Sequence, residues 1–158
     1  MAKVGERVEQ ACDLKILIVE DQAILAMELE HVLTGHGCEV IGCAMDLPAS
    51  LTLAEGQRPD LALVDLNLLD GLTGPTVAQA LVRDHGCAVV FLTANPELIP
   101  EGFAGALGVL TKPFDDAAIL GVVRFARTFI RERRVDQPPR RFRMAPWLKT
   151  PPEDLPRH

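Results

Sequence analysis

Five short apolar runs recur along the chain, and segments with helical or turn patterning separate them. The runs span Leu14 to Val19, Glu39 to Ala44, Leu61 to Asp65, Ala88 to Thr93 and Val109 to Thr111. Runs that are apolar at nearly every position are typical of strands covered on both faces, as in parallel sheets. Because strands alternate with helices, we predict a doubly wound α/β fold with right-handed crossovers and helices on both faces of the sheet.

Helical spacing of apolar residues predicts four helices between and after these strands. They span Gln22 to about His36, Leu47 to Glu55, Pro75 to about His85, and Asp115 or Asp116 to about Arg134. The segment from 96 to 108 contains two prolines and three glycines, so it predicts only a short or distorted helix. Leu120 and Phe125 widen the apolar stripe of the last helix, which is compatible with a homodimer through that helix.

Composition divides the chain into three parts. Residues 1–13 form a short N-terminal extension, residues 14–134 the predicted domain, and residues 135–158 a tail. Six of the 24 tail residues are proline and arginine is frequent, which predicts an extended or partly disordered segment. Large apolar side chains in this tail instead suit a segment that docks on the domain or on a partner. They are Phe142, Met144, Trp147 and Leu148.

Charge and composition limit the classes of function. The 158 residues are 48% apolar, which is enough to bury the core of one domain. Residues 1–130 carry 8 Lys and Arg against 18 Asp and Glu, whereas residues 131–158 carry 8 against 4. An acidic body disfavours nucleic-acid binding, because affinity for the phosphate backbone comes largely from Lys and Arg. The arginine-rich tail leaves a nucleic-acid or acidic-partner contact as an alternative.

The lengths of the apolar runs and the arrangement of the cysteines indicate the cellular compartment in which the protein is expected to reside. No apolar run approaches the roughly 18 residues of a membrane span, and the N-terminus has no signal-peptide pattern, so we expect a cytoplasmic protein without a membrane partner. Cys12, Cys38, Cys43 and Cys87 form no Cys-x-x-Cys pair. We predict buried free thiols, which suit a reducing compartment.

Polar groups of complementary chemistry stand at the ends of four predicted strands. Glu20 and Asp21 follow the first strand, Asp65 ends the third, Thr93 ends the fourth and Lys112 follows the fifth. A lone aspartate at a strand end would more simply cap a helix or be solvated. In open parallel sheets, however, the carboxyl ends of the strands face the ligand crevice, so we expect these five side chains to meet there.

The expected pocket suits phosphoryl chemistry. Three carboxylates crowd together only if a cation shares their space, and a set of oxygen ligands favours Mg²⁺ over zinc. Asp65 could then act as a nucleophile that forms an aspartyl phosphate. Lys112 and Thr93 would supply the charge neutralisation and positioning that phosphoryl transfer needs.

These residues, in this order, resemble the receiver domain of two-component response regulators. The matching segments are Glu20-Asp21, Asp65, Thr93-Ala94 and Lys112-Pro113-Phe114, with separations of 44 from Asp21 to Asp65, 28 to Thr93 and 19 to Lys112. The resemblance covers about residues 14–134. It implies a flavodoxin-like (βα)5 parallel sheet with strand order 2-1-3-4-5.

The resemblance also implies a phosphoacceptor and a metal site. Asp65 would receive a phosphoryl group from a histidine kinase or a phosphotransfer protein. Mg²⁺ would be held by Glu20, Asp21, Asp65 and the backbone carbonyl of Asn67.

Further roles are implied around the acceptor. Thr93 and Lys112 would contact the phosphoryl group, the Lys112-Pro113 bond would be cis, and Asn67 and Asn95 would tune self-dephosphorylation. Receivers usually carry Tyr or Phe three residues before the lysine, whereas this chain has Val109 there. A switch that buries a ring at this position is therefore excluded.

A narrower resemblance concerns an alphaproteobacterial receiver branch called FAT GUY and the receiver of its general stress regulators. It rests on the phrase Val90-Phe91-Leu92-Thr93-Ala94-Asn95-Pro96-Glu97, the Asp-Gly-x-x-Gly loop after Asp65, and the irregular segment before Val109. In that branch the fourth helix is remodelled, which fits the Pro- and Gly-rich 96–108 segment.

We expect a phosphorylation-dependent signalling protein rather than an enzyme. It would signal by changing its 96–134 surface for a partner, since about 24 residues after the last helix are too few for an output domain. One alternative is a degenerate receiver that acts as a phosphorylation-independent scaffold. Another is a magnesium-dependent phosphatase of the haloacid dehalogenase kind, but its Asp-x-Asp pattern is broken by Asn67.

Overall fold

A computed structural model describes residues 12–149, which form a six-stranded sheet with helices on both faces. The strands are β1 (Lys15–Val19), β2 (Glu39–Ala44), β3 (Leu61–Asp65), β4 (Ala88–Thr93), β5 (Gly108–Thr111) and β6 (Phe142–Met144). They lie in the order β2-β1-β3-β4-β5-β6. Strands β1 to β5 pair in parallel and β6 pairs antiparallel to β5. The predicted order 2-1-3-4-5 is confirmed, and β6 is an addition that the sequence pattern did not predict.

Four helices connect or follow the strands, each within two residues of its predicted bounds. They are α1 (Ala23–Thr34), α2 (Leu47–Gln57), α3 (Gly74–His85) and α4 (Asp116–Glu132). The carboxylates of Asp46 and Asp115 cap α2 and α4, since each accepts a backbone N–H three residues further on. No helix within residues 12–149 combines the length and apolar character needed to cross a bilayer.

The sheet separates two apolar layers, because successive side chains of a strand point to opposite faces. Ile16, Ile18 and Leu63 belong to the layer that α1 and α4 cover, whereas Leu17 and Val64 belong to the layer on the α2 and α3 side. All five residues of β3 are buried. The last residue of this central strand, Asp65, therefore lies at the carboxyl edge of the sheet, between β1 and β4.

Between β4 and β5, two 3₁₀ turns replace a regular crossover helix. They span Pro96–Leu98 and Glu101–Gly105, which confirms the prediction of a short or distorted helix in this segment. Four consecutive residues of the second turn have positive φ, with values of 80°, 57°, 52° and 85°. Two of these, Phe103 and Ala104, are not glycine, so their left-handed backbone is strained.

Residues 142–149 match the docking alternative for the tail and not the extended or partly disordered one, whereas residues 135–141 contain no helix or strand. Phe142 to Met144 form β6, and Pro146–Lys149 form a 3₁₀ turn. Phe142 and Leu148 are buried in the layer of α1 and α4, because apolar side chains spaced along this segment reach the open edge of β5. The ordered domain therefore extends past residue 134. We call residues 142–148 the strap.

The strap covers Phe125, one of the two side chains that widen the apolar stripe of α4. The ring of Phe125 lies 5.1 Å from the ring of Phe142, centroid to centroid. Phe125 is thus covered by its own chain and is only 4% exposed. Residues 1–11 of the predicted extension and residues 150–158 of the predicted tail lie outside the described residues.

The cysteines depart from the predicted set of buried free thiols. Cys12 and Cys38 form a disulfide across a sequence separation of 26, with their Cα atoms 5.0 Å apart. Cys87 is free and buried as predicted, whereas Cys43 is free but exposed. Spacing alone did not reveal the pair, because the parallel pairing of β1 with β2 is what brings the residues before these strands together.

Candidate functional site

Polar side chains converge at the carboxyl ends of four adjacent strands. Glu20 directly follows β1, Asp65 is the last residue of β3, Thr93 is the last of β4, and Lys112 directly follows β5. The parallel pairing of these strands places their ends side by side. Strand β2, at the sheet edge, ends in Ala44 and adds no polar side chain of its own.

Three carboxylates form an acidic cluster at this edge. One carboxylate oxygen each from Glu20, Asp21 and Asp65 can be chosen so that all lie within 4.8 Å of one another. The Glu20 and Asp65 residues are buried, with 2% and 7% of their surface exposed, and Asp21 is half-buried. Like charges at this separation repel strongly, so the cluster needs positive charge close by.

Lys112 supplies part of that positive charge. Its Nζ atom lies 3.1 Å from Glu20 Oε1 and 3.2 Å from Asp65 Oδ2. One ammonium group thus bridges two of the three carboxylates, and the cluster keeps a net negative charge. The peptide bond from Lys112 to Pro113 is cis.

Glu20 has an altered pKa. Burial raises the pKa of Glu20 above its ordinary value of 4.5, and the nearby charge of Asp65 acts in the same direction. The backbone N–H of Gln22, which donates to Glu20 Oε2 at 3.0 Å, and the Lys112 ammonium both oppose this rise. Glu20 is therefore a buried acid that gains from a cation placed beside it.

Thr93 is fully buried between the acidic cluster and the segment that follows β4. Its hydroxyl oxygen accepts the backbone N–H of Asn95 at 3.0 Å. Its carbonyl accepts the backbone N–H of Lys112 at 2.8 Å. Thr93 is thus bonded to the residue just before the irregular 96–108 segment and to the residue just after β5.

The remaining predicted residues surround the cluster. Asn67 and Asn95 are exposed, each two residues beyond a strand-end group of the site. Val109 is buried within β5, where its backbone aligns with Phe91 on one side and Arg143 on the other. It therefore lies in the sheet interior with no aromatic ring to expose or bury.

Gly74 is a site residue that the sequence reasoning did not single out. A Cβ atom at this position would lie 2.2 Å from the carbonyl oxygen of Asp65 and 2.6 Å from the Cα of Leu66. The first turn of α3 therefore packs directly on the backbone that carries Asp65. The Asp-Gly-x-x-Gly pattern was the available signal, because a second glycine after a strand indicates close backbone approach.

Exposed apolar side chains surround the same edge. Among residues 12–149, six large apolar side chains are exposed, and all but Met27 lie in the first turn of α1 or in a segment that directly follows a strand's carboxyl end. They are Ile24, Met27, Met45, Leu69, Leu72 and Leu98. Met27 lies on the next turn of α1. Apolar residues concentrated around one polar pocket are typical of a protein-docking surface.

The donor set fits a hard divalent cation. All side-chain ligands in the cluster are carboxylate oxygens, which Mg²⁺ prefers, and no thiol or imidazole belongs to it. The half-buried position of Asp21 leaves one side of the cluster open to water. Magnesium usually keeps several water ligands, which this opening would allow.

Comparison with known proteins agrees with this geometry. The family model of the response regulator receiver domain matches residues 16–124. The phyllosphere-induced regulator PhyR of Methylorubrum extorquens is 35% identical over 130 residues, which cover 80% of this chain and 49% of the relative. The transcriptional regulatory protein PdtaR of Mycobacterium tuberculosis is 30% identical and covers 78% of this chain and 62% of the relative. This chain therefore spans only about half to three fifths of those relatives' length.

Solved structures show the same fold. The response regulator PhyR from Brucella abortus superposes with a TM-score of 0.69 at 27% identity, covering 82% of this chain and 54% of that one. The receiver domain of Erythrobacter litoralis PhyR gives a TM-score of 0.67 at 25% identity and covers 80% of this chain and 95% of that one.

Proposed function

The chain belongs to the family of response regulator receiver domains, and from that premise we propose that it is a signalling protein that accepts a phosphoryl group on Asp65. The observation that carries the proposal is the pair of contacts from Lys112 to Asp65 and Glu20, at 3.2 and 3.1 Å. They place a cation beside a buried carboxylate within an acidic cluster that could hold a metal ion.

The acidic cluster would hold Mg²⁺ through Glu20, Asp21, Asp65 and the backbone carbonyl of Asn67. When bound, the ion would supply positive charge against the carboxylates and the phosphoryl oxygens. The carboxylate character of the cluster and the raised pKa of Glu20 support this assignment, because burial makes an unneutralised charge at Glu20 costly.

The protein side chains have distinct tasks in the transfer. An Asp65 carboxylate oxygen attacks phosphorus, and the bond from phosphorus to the donor breaks, with its electron pair leaving on the donor. Lys112 shifts from neutralising the carboxylate to neutralising the new phosphoryl oxygens. Thr93 turns its hydroxyl from the Asn95 N–H toward the phosphoryl group, to which it donates.

The expected donor is the phosphohistidine of a kinase or phosphotransfer protein. Such a donor must bring its phosphoryl group into the pocket, and the exposed apolar side chains around that pocket offer the contact surface. Ile24 is 75% exposed and Leu69 68% exposed, so both side chains are accessible to a donor protein, and their grouping around one pocket favours docking there.

The signal would leave through the 96–134 surface. Phosphorylation adds nearly two negative charges at the site. The Thr93 hydroxyl accepts the N–H of Asn95, directly before the 96–108 segment, so a change at this hydroxyl reaches the start of that segment. A binding partner that recognises the altered segment would then read the phosphorylation state.

Phosphorylation can be tested with acetyl phosphate, Mg²⁺ and intact mass. Wild type should gain one phosphoryl group, Asp65→Asn should gain none, and the matched control Asp84→Asn should gain one, because Asp84 lies on the exposed face of α3. Omitting Mg²⁺ should prevent the gain. If neither wild type nor the control gains mass, and ¹⁹F NMR shows no beryllofluoride bound, the scaffold alternative replaces this proposal. Repeated turnover of p-nitrophenyl phosphate would indicate the phosphatase alternative.

A further inference from the structure

The strap fills a groove between the edge of β5 and the buried Phe125 of α4. Its β6 residues pair antiparallel with β5, from Phe142 opposite Leu110 to Met144 opposite Gly108. Phe142, 6% exposed, packs on Phe125 of α4 with a ring separation of 5.1 Å. Trp147 packs against both apolar layers at the sheet edge.

The groove itself is shaped to admit such a segment. A Cβ atom at Gly108 would lie 2.3 Å from the carbonyl oxygen of Arg143 and 2.5 Å from the ring of Phe142. Only glycine at the start of β5 therefore lets a strand approach with an aromatic side chain at this position. Phe125 forms the opposite wall from α4.

The strap also contacts the strained turn between β4 and β5. The indole N–H of Trp147 donates to the carbonyl of Ala106 at 2.8 Å, and the N–H of Ala145 donates to the carbonyl of Leu107 at 2.8 Å. The guanidinium of Arg143 lies 5.5 Å from the centre of the Phe103 ring. All three contacts join the strap to residues at or just after the left-handed turn.

The same turn is connected to the phosphorylation site. The 96–108 segment starts beside Asn95, whose N–H is held by the Thr93 hydroxyl. It leads through β5 to Lys112, whose N–H is held by the Thr93 carbonyl. If Thr93 turns toward a phosphoryl group, the Asn95 bond is lost and a strained segment is freed at one end. The contacts of the strap with Phe103, Ala106 and Leu107 end on that segment, and its strand pairing continues onto β5.

We propose that the strap occupies in cis the groove that this protein uses for its partner, and that phosphorylation of Asp65 releases the strap so that an extended segment of a partner protein can replace it. This inference rests on the proposed function. The partner segment would add to β5 as an antiparallel strand and carry two aromatic residues about five positions apart, as Phe142 and Trp147 are.

Release of the strap leaves the rest of the fold in place. Residues 133–141 connect α4 to β6 without helix or strand and include Pro138 and Pro139. Because this nine-residue linker contains no helix or strand, β6 can separate from β5 while α4 stays packed. The groove that is then exposed holds an unpaired strand edge and apolar walls, which favours a second strand in its place.

Trp147 makes release measurable, since the chain contains one Trp and no Tyr. The first experiment adds Mg²⁺ and beryllofluoride to the full chain, with ¹⁹F NMR to show occupancy of the site. We expect the Trp147 emission to shift to the red and its acrylamide quenching to rise severalfold, with no change in Asp65→Asn. If ¹⁹F NMR shows beryllofluoride bound while Trp147 is unchanged, the strap inference is wrong and the phosphorylation proposal stands. If no beryllofluoride binds, the phosphorylation proposal itself has failed.

The second experiment tests the groove with a fluorescein-labelled peptide copy of residues 139–149, followed by anisotropy. Wild type with Mg²⁺ and beryllofluoride should bind the peptide at least tenfold more tightly than wild type with Mg²⁺ alone. Phe142→Ala should bind it without activation, because its own strap is weakened. Gly108→Ala should lose its strap and still not bind, because the added methyl group blocks the groove.

Control measurements keep these outcomes separate. Circular dichroism checks that each variant is folded, and Phe142→Leu replaces Phe142→Ala if the latter is not. Equal peptide affinity in all variants would refute the claim that the peptide binds in this groove. A dimer by light scattering after activation, without peptide binding, would assign the groove to the strap of a second copy and overturn the partner assignment.

Discussion

Lys112 lies between two buried carboxylates, so replacing it with Met should destabilise the metal-free protein in a way that depends on pH and on Mg²⁺. Its Nζ atom is 3.1 Å from Glu20 and 3.2 Å from Asp65, and its side chain is 17% exposed. At an effective dielectric constant of about 20, each contact has a gross Coulomb energy of about 5 kcal/mol. Desolvation of the three groups offsets most of that sum.

Protonation of Glu20 limits how much the variant can lose at that residue. In the unfolded chain Glu20 titrates near 4.5, so holding it neutral in the folded protein costs about 4 kcal/mol at pH 7.5 and about 1.4 kcal/mol at pH 5.5. Breaking a buried pair from one side typically costs about 3 to 5 kcal/mol. Because Lys112 is partly solvated, we expect Lys112→Met to lose about 2 to 4 kcal/mol at pH 7.5, and less at pH 5.5 because the part of the loss that arises at Glu20 is then limited to about 1.4 kcal/mol.

Urea unfolding followed by far-UV circular dichroism measures this loss at both pH values, with and without 10 mM Mg²⁺. Magnesium should recover much of the loss at pH 7.5, because a second cation then balances the carboxylates. Lys15→Met is the matched control, since Lys15 lies at the opposite end of β1. Within the described residues its side chain makes no ion pair. The control should change stability by less than about 0.5 kcal/mol.

One result would refute this reasoning. If Lys112→Met loses the same free energy at pH 5.5 as at pH 7.5, and Mg²⁺ changes neither value, then the lysine stabilises the fold by packing alone. In that case, repulsion among the carboxylates would not be what favours cation binding at this site.

Three further predictions concern other groups. Magnesium at 10 mM should raise the melting temperature of wild type by a few degrees and that of Asp65→Asn by less, as read by calorimetry. Reduction of the Cys12–Cys38 disulfide should lower the free energy of unfolding by about 3.5 kcal/mol, given its sequence separation of 26. Cys38→Ser should be insensitive to dithiothreitol. Partial burial acts to raise the pKa of Asp13, but its hydrogen bond and ion pair with Arg127 outweigh this and leave the pKa lowered. Its stabilising effect should therefore be present above its ordinary value of 3.8 and be lost as the pH falls below it, so urea curves of Asp13→Asn and wild type should converge in acid.

Local patterning determined most of the fold. The strand and helix bounds follow from apolar runs, from caps such as Asp46 and Asp115, and from breaks at glycine and proline, all of which act within a few residues. The strand order and the meeting of polar residues at the strand ends could be predicted from the sequence. Right-handed parallel crossovers allow few strand orders, and they bring the carboxyl ends of the strands to one edge of the sheet. The gathering of Glu20, Asp21, Asp65 and Lys112 follows from that rule.

Only the tertiary structure decided the features that depend on contacts between distant parts of the chain. Proline and arginine content predicted a loose tail, but the edge of β5 and the ring of Phe125 gave Phe142 and Leu148 a place to be buried. The Cys12–Cys38 pair required the alignment of β1 with β2. In both cases the composition or spacing of a segment indicates only the conformation that this segment would adopt in isolation. The free energy that orders it comes from surface that the rest of the fold provides.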